Sequence, residues 1–138
     1  MLKLVKIEGS GTNQPEPIKL RTADNMVYKA NCAYVMADGI LYPLDSEGYP
    51  THIAVENART EEKDSVTCYR IQDNMIFETT VNGDLANGCV NSKYAMDIDD
   101  TGACVGITSS LTNGKITLYD TNGAEKTGDT VYVRIEKQ

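Results

Sequence analysis

Turn-forming pairs punctuate this sequence so often that only short runs remain between them. Asp38-Gly39, Asn82-Gly83, Asn87-Gly88, Asn113-Gly114 and Asn122-Gly123 are spread along the chain. Both residues of such a pair tolerate positive φ, which a tight hairpin turn requires. An amphipathic helix needs apolar residues at i, i+3, i+4 and i+7 over several turns, and no stretch here keeps that spacing. The runs alternate instead. Val66, Cys68 and Arg70 interleave with Thr67, Tyr69 and Ile71, while Val131, Val133 and Ile135 oppose Tyr132 and Arg134. Residues 76–81 are rich in β-formers. The reading is all-β: a small antiparallel barrel or sandwich with an extended N-terminal arm. Alternation alone does not decide between barrel and sandwich, because it does not show closure.

The 138 residues suit one domain, read as a strand and polar arm over residues 1–25 and a single β domain over 26–138. Residues 1–8 read as a strand without the apolar centre of an export signal. The segment Gly9-Ser10-Gly11-Thr12-Asn13-Gln14-Pro15-Glu16-Pro17 is polar, with two glycines and two prolines, and suits neither helix interior nor central strand. Pro15 and Pro17 stiffen it and lower the entropy lost on docking. Asn13, Gln14, Pro15, Glu16, Pro17 and Ile18 are therefore the candidate partner-binding residues, and removal of residues 1–20 is expected to leave the fold intact.

Charge and composition exclude several function classes. Twenty acids face thirteen bases, a net charge of −7, so no basic stripe invites nucleic acid. No apolar run approaches the ~20 residues of a membrane helix. The four cysteines, Cys32, Cys68, Cys89 and Cys104, form no close pair, so a structural zinc site is not expected. They read as free, buried thiols. His52 is the only histidine, so any nucleophile–histidine pair would have to run through it. It reads as a surface or satisfied strand residue. Asp97-Ile98-Asp99-Asp100-Thr101-Gly102 echoes half of a calcium loop but has Thr101 and Thr108 where ligands belong, so it reads as an acidic turn. Tyr28, Tyr34, Tyr42 and Tyr49 offer stacking faces but fit core or interface positions. Gly106, inside a strand pattern, signals a bulge or a close backbone approach. No catalytic set, metal or cofactor is expected.

Beyond these residues, the layout resembles the phage and prophage capsid decoration proteins, also called head-stabilising or cement proteins. The likeness runs from Cys32-Ala33-Tyr34-Val35-Met36-Ala37-Asp38-Gly39-Ile40-Leu41-Tyr42-Pro43 through His52-Ile53-Ala54-Val55-Glu56-Asn57-Ala58 and Met96-Asp97-Ile98-Asp99-Asp100-Thr101-Gly102. It ends on Gly128-Asp129-Thr130-Val131-Tyr132-Val133-Arg134-Ile135. The resemblance implies a non-enzymatic virion protein, made in the bacterial cytoplasm and carried on the capsid surface. Its partner would be the major capsid protein, it would sit there as a homotrimer, and it would touch neither nucleic acid nor membrane. The alternative is a β-sandwich binding module, a carbohydrate or host-surface adhesin on a tail or fibre.

Overall fold

The computed structural model describes residues 1–11, 14–85 and 90–135. Asn13, Cys89 and the Asn87-Gly88 turn signal lie outside the described residues. Among the described residues there is no helix, and fourteen strands carry the chain. They are β1 (Lys3–Ile7), β2 (Ile18–Thr22), β3 (Val27–Tyr28), β4 (Ala33–Ala37), β5 (Ile40–Tyr42), β6 (His52–Ala54) and β7 (Ala58–Arg59). The second half supplies β8 (Ser65–Arg70), β9 (Met75–Asn82), β10 (Lys93–Tyr94), β11 (Met96–Ile98), β12 (Cys104–Thr108), β13 (Ile116–Asp120) and β14 (Thr130–Ile135). The all-β reading holds.

Barrel and sheet are both present. Strands β4, β5, β2, β8 and β6 pair in a closed ring, since β6 returns to β4. A second sheet runs β10-β13-β14-β9, with β1 on the other side of β9. The expectation of a purely antiparallel fold needs correction. β2 runs parallel to β5, and β9 runs parallel to β12. The chain leaves β2 and makes β4 before it returns as β5, so β5 lies beside β2 in the same direction. Local alternation carries no record of such a crossover.

The turn chemistry acts as read at Asp38-Gly39 and Asn122-Gly123, where both residues have positive φ, whereas Asn82 still belongs to β9 and Gly114 has no positive φ. Asp38 and Gly39 have φ of 53° and 77°, and they join β4 to β5 with Ala37 opposite Ile40. β5 stops at Tyr42 because Pro43 has no amide to donate. Strands β3 and β7 pair over only two residues each, too short a span to leave an alternating trace in the sequence.

Two cores follow. Inside the barrel sit Tyr28, Tyr34, Leu41, Ala54 and Val66. Between the barrel wall and the sheet sit Leu2, Ala33, Ile53, Phe77, Leu118, Val133 and Ile135. Strands β4 and β6 serve both layers: Tyr34 and Ala54 point into the barrel, Ala33 and Ile53 into the space outside it. This corrects the reading of His52 as a surface or satisfied residue. β6 is covered on both sides, and His52 is 1% exposed. The amino-terminal strands belong to these cores too. Leu2 is fully buried, β1 pairs with β9, and β2 is a barrel stave. Removal of residues 1–20 therefore takes out β1, the core residue Leu2 and three of the five residues of the β2 stave, so it is expected to disrupt the fold rather than leave it intact.

Candidate functional site

The arm leaves β1 at a pinned root. The Glu8 amide donates to the Asn74 carbonyl at 2.8 Å, and Asn74 Nδ2 donates to the Glu8 carbonyl at 3.0 Å. The Glu8 carboxylate pairs with the Arg134 guanidinium, which also lies over the Tyr119 ring, 4.9 Å from its centroid. At Gly9 (φ 75°) β1 gives way to a turn in which the Ser10 amide donates to the Ile7 carbonyl at 3.3 Å. The arm rejoins the fold at β2, where Ile18 pairs with Cys68. Pro17 ends that ladder, since it has no N–H to extend it. Beyond Cys68, Tyr69 and Arg70 of β8 pair with β6 alone.

A groove of about 830 Å³ opens beside the arm. Gln14, Pro15 and Pro17 form one wall. Lys3 and Leu4 of β1 form another, and Val55 and Tyr69 come from the barrel. Thr79, Thr80 and Thr130 close the sheet side. Among the described residues β1 pairs with β9 and with no other strand, and Lys3 and Leu4 of its first half line the groove.

The six arm candidates divide. Gln14, Pro15 and Pro17 line the groove. Glu16 is exposed and outside the lining. Ile18 opens β2 rather than the arm, with 39% of its surface exposed. Asn13 lies outside the described residues. Sequence reasoning missed Leu4, Val55 and Tyr69. Val55 lies just past β6 with 43% of its surface exposed, which alternation with Ile53 does not reveal.

The other candidates have structural duties. Asp99 closes the turn between β11 and β12. Its Oδ1 accepts from the Thr101 amide at 2.9 Å, the Thr101 hydroxyl at 2.7 Å and the Ala103 amide at 3.1 Å. Its Oδ2 accepts from Lys29 Nζ at 2.6 Å. Partial burial pushes this carboxyl up, but the Lys29 ammonium and those donors outweigh it and hold it at about 2. The turn thus ties the β11–β12 hairpin to the barrel loop.

Tyr28 and Tyr34 meet edge to face inside the barrel, 5.2 Å between centroids. The Tyr28 hydroxyl donates to the Leu41 carbonyl at 2.5 Å and accepts from the Ala23 amide at 2.8 Å. The Tyr34 hydroxyl accepts from the Lys29 amide at 2.7 Å. Tyr49 lies under Lys115 Nζ, at 4.7 Å, and Tyr42 is 38% exposed. Cys32, Cys68 and Cys104 are free and buried. Burial pushes Cys68 up to about 11 and Cys104 up to about 12, so they are protonated at neutral pH. His52 Nδ1 lies 2.8 Å from the Thr51 hydroxyl, and Nε2 has no partner.

Gly106 fulfils its signal. The β11–β12 register slips beside it, and a Cβ there would lie 2.6 Å from the Thr80 carbonyl oxygen. The close approach brings β12 against β9, where Ile107 pairs with Val81.

Compared with family models, curated proteins and solved structures, the chain matches none of them.

Proposed function

We propose that this chain is a phage capsid decoration protein that binds the head exterior and bridges neighbouring coat subunits through its arm and groove. The reading rests on the resemblance in layout. The observation that carries it furthest is the arm, rooted by Glu8 and Asn74 and stiffened by two prolines beside the edge of β1 that lies opposite β9, where Lys3 and Leu4 line the groove. An extended coat segment laid along that edge gains main-chain hydrogen bonds, with the groove walls selecting its side chains. Rigid arms lose less entropy on docking. Many copies on one particle make weak individual contacts sufficient. A net charge of −7 keeps crowded copies soluble.

The adhesin alternative draws on the tyrosines. Of the four that would stack on a sugar, Tyr28 and Tyr34 are inside the barrel and Tyr49 is under Lys115, which leaves Tyr42 open to solvent. The arm reading is the better supported.

The test is co-sedimentation of the purified chain with expanded heads that lack any decoration protein. The wild-type chain is expected to pellet with the heads, and a Pro15→Ala/Pro17→Ala variant to pellet less. A wild-type chain that stays in the supernatant contradicts the proposal. Equal pelleting of the variant removes the arm's stiffness from the mechanism.

A further inference from the structure

β6 is the stave that closes the barrel. It pairs with β4 through Ala33–Ile53 and Tyr34–His52, and with β8 through His52–Arg70, Ile53–Tyr69 and Ala54–Cys68. His52 opens β6 and is paired on both sides, with Tyr34 of β4 and with Arg70 at the end of β8. Directly paired residues share a face, and so do residues two apart. His52 therefore faces the barrel interior with Ala54, Tyr34, Val66 and Cys68. Its ring is buried, Nδ1 faces the Thr51 hydroxyl, and Nε2 faces no acceptor.

We propose that His52 is an acid trigger that opens the barrel along β6 while the pairing of β9, β13 and β14 holds.

In the doubly protonated ring both nitrogens are donors, and nothing accepts from Nε2. The charged group opposite on β8 is Arg70, a like charge. From β4 the facing group is Tyr34, whose phenol burial raises and whose hydroxyl is committed to the Lys29 amide. β8 adds the buried Cys68 thiol, and β2 and β5 contribute the apolar Leu20 and Leu41. A buried cation without a counter-charge is expelled or left unprotonated. Burial and Arg70 hold the ring at about 4, against an ordinary 6.5. The opened form takes its proton near 6.5 and the closed form near 4, so closure is at full strength above pH 6.5 and weakens as pH falls through that window. Glu56 and Asp99, both held at about 2, stay charged throughout it.

The sheet lacks this dependence on β6, since β9, β13 and β14 pair with one another. The trigger stands whether or not the chain decorates a capsid.

Amide hydrogen exchange, corrected for the intrinsic effect of pH, reads the opening. The seam reporters are Thr51, Ala54, Val55 and Ile71, whose amides donate to Tyr34, Cys32, Thr67 and Thr51. The sheet controls are Leu118, which donates to Ser92, and Val81, which donates to Asp129. From pH 7.5 to pH 5 the seam amides are expected to exchange about thirty-fold faster, with the controls unchanged. His52→Gln is expected to abolish the rise. Seam protection that holds at pH 5 overturns the proposal, as does an equal rise in seam and controls or a rise that persists in His52→Gln. If His52→Gln does not fold, NMR of the wild-type ring decides. A ring that begins to titrate as seam exchange rises supports the trigger, and a ring that titrates near 6.5 with the seam still closed overturns it.

Discussion

Between barrel and sheet, Phe77, Ile107, Leu118, Val131, Val133 and Ile135 meet as wholly apolar side chains. Inside the barrel, Tyr28, Tyr34 and His52 carry polar atoms into the core beside Leu41, Ala54 and Val66. Apart from the hydroxyls of Tyr69 and Tyr94, the first layer is held by area and shape, which are indifferent to pH. The second is held partly by hydroxyls stitched to backbone groups of Ala23, Lys29 and Leu41. The apolar layer is therefore weakened by cavities, and the barrel by unmade hydrogen bonds and by acid.

The largest effect is expected in the apolar layer. Phe77 is fully buried there, and Phe77→Ala should cost about 3–5 kcal/mol in urea unfolding. A loss under 1 kcal/mol would mean the layer does not carry the fold. Gly106→Ala strikes where the two bodies join. Its Cβ would lie 2.6 Å from a backbone oxygen that no side-chain rotation can move, so about 1–3 kcal/mol is expected. An unchanged unfolding midpoint would deny the close approach of β12 to β9. In the barrel, Tyr28→Phe keeps the ring and strands the Ala23 amide and the Leu41 carbonyl, at about 1–3 kcal/mol. If Tyr28→Phe costs nothing, the hydroxyl stitching is not what distinguishes the barrel.

Asp99→Ala comes next, at about 1–2 kcal/mol, through loss of the acceptor for Thr101 and Ala103. Its pH signature separates it from His52. A carboxyl held at about 2 against an ordinary 3.8 adds stability above pH 3.8 that is lost as pH falls through 2. Pro15→Ala with Pro17→Ala should shift stability by less than ~1 kcal/mol, since Pro15 and Pro17 lie outside both cores.

Much of this was legible in the residues, and the limits are physical. Asp38-Gly39 and Pro43 declared the first hairpin and its end, because turn geometry is a local property. Gly106 announced a close approach but not what approached, since the Thr80 oxygen comes from a distant strand. The double burial of β6 was invisible. Alternation distinguishes two faces, and both faces of β6 are covered. His52 was misread for that reason. The parallel pairing of β2 with β5 is likewise a matter of chain path. Pro15 and Pro17 were legible as stiff arm residues, but the groove they line was not. The far wall, Val55 and Tyr69, arrives through barrel closure, which no local pattern encodes.

Quantitative mass spectrometry of purified phage or induced prophage particles from the source organism tests the functional account most directly. The account predicts this chain in fixed, high proportion to the major coat protein, released from the outside of intact heads without loss of the coat. Absence from the particles, or only a few copies in each, would contradict it.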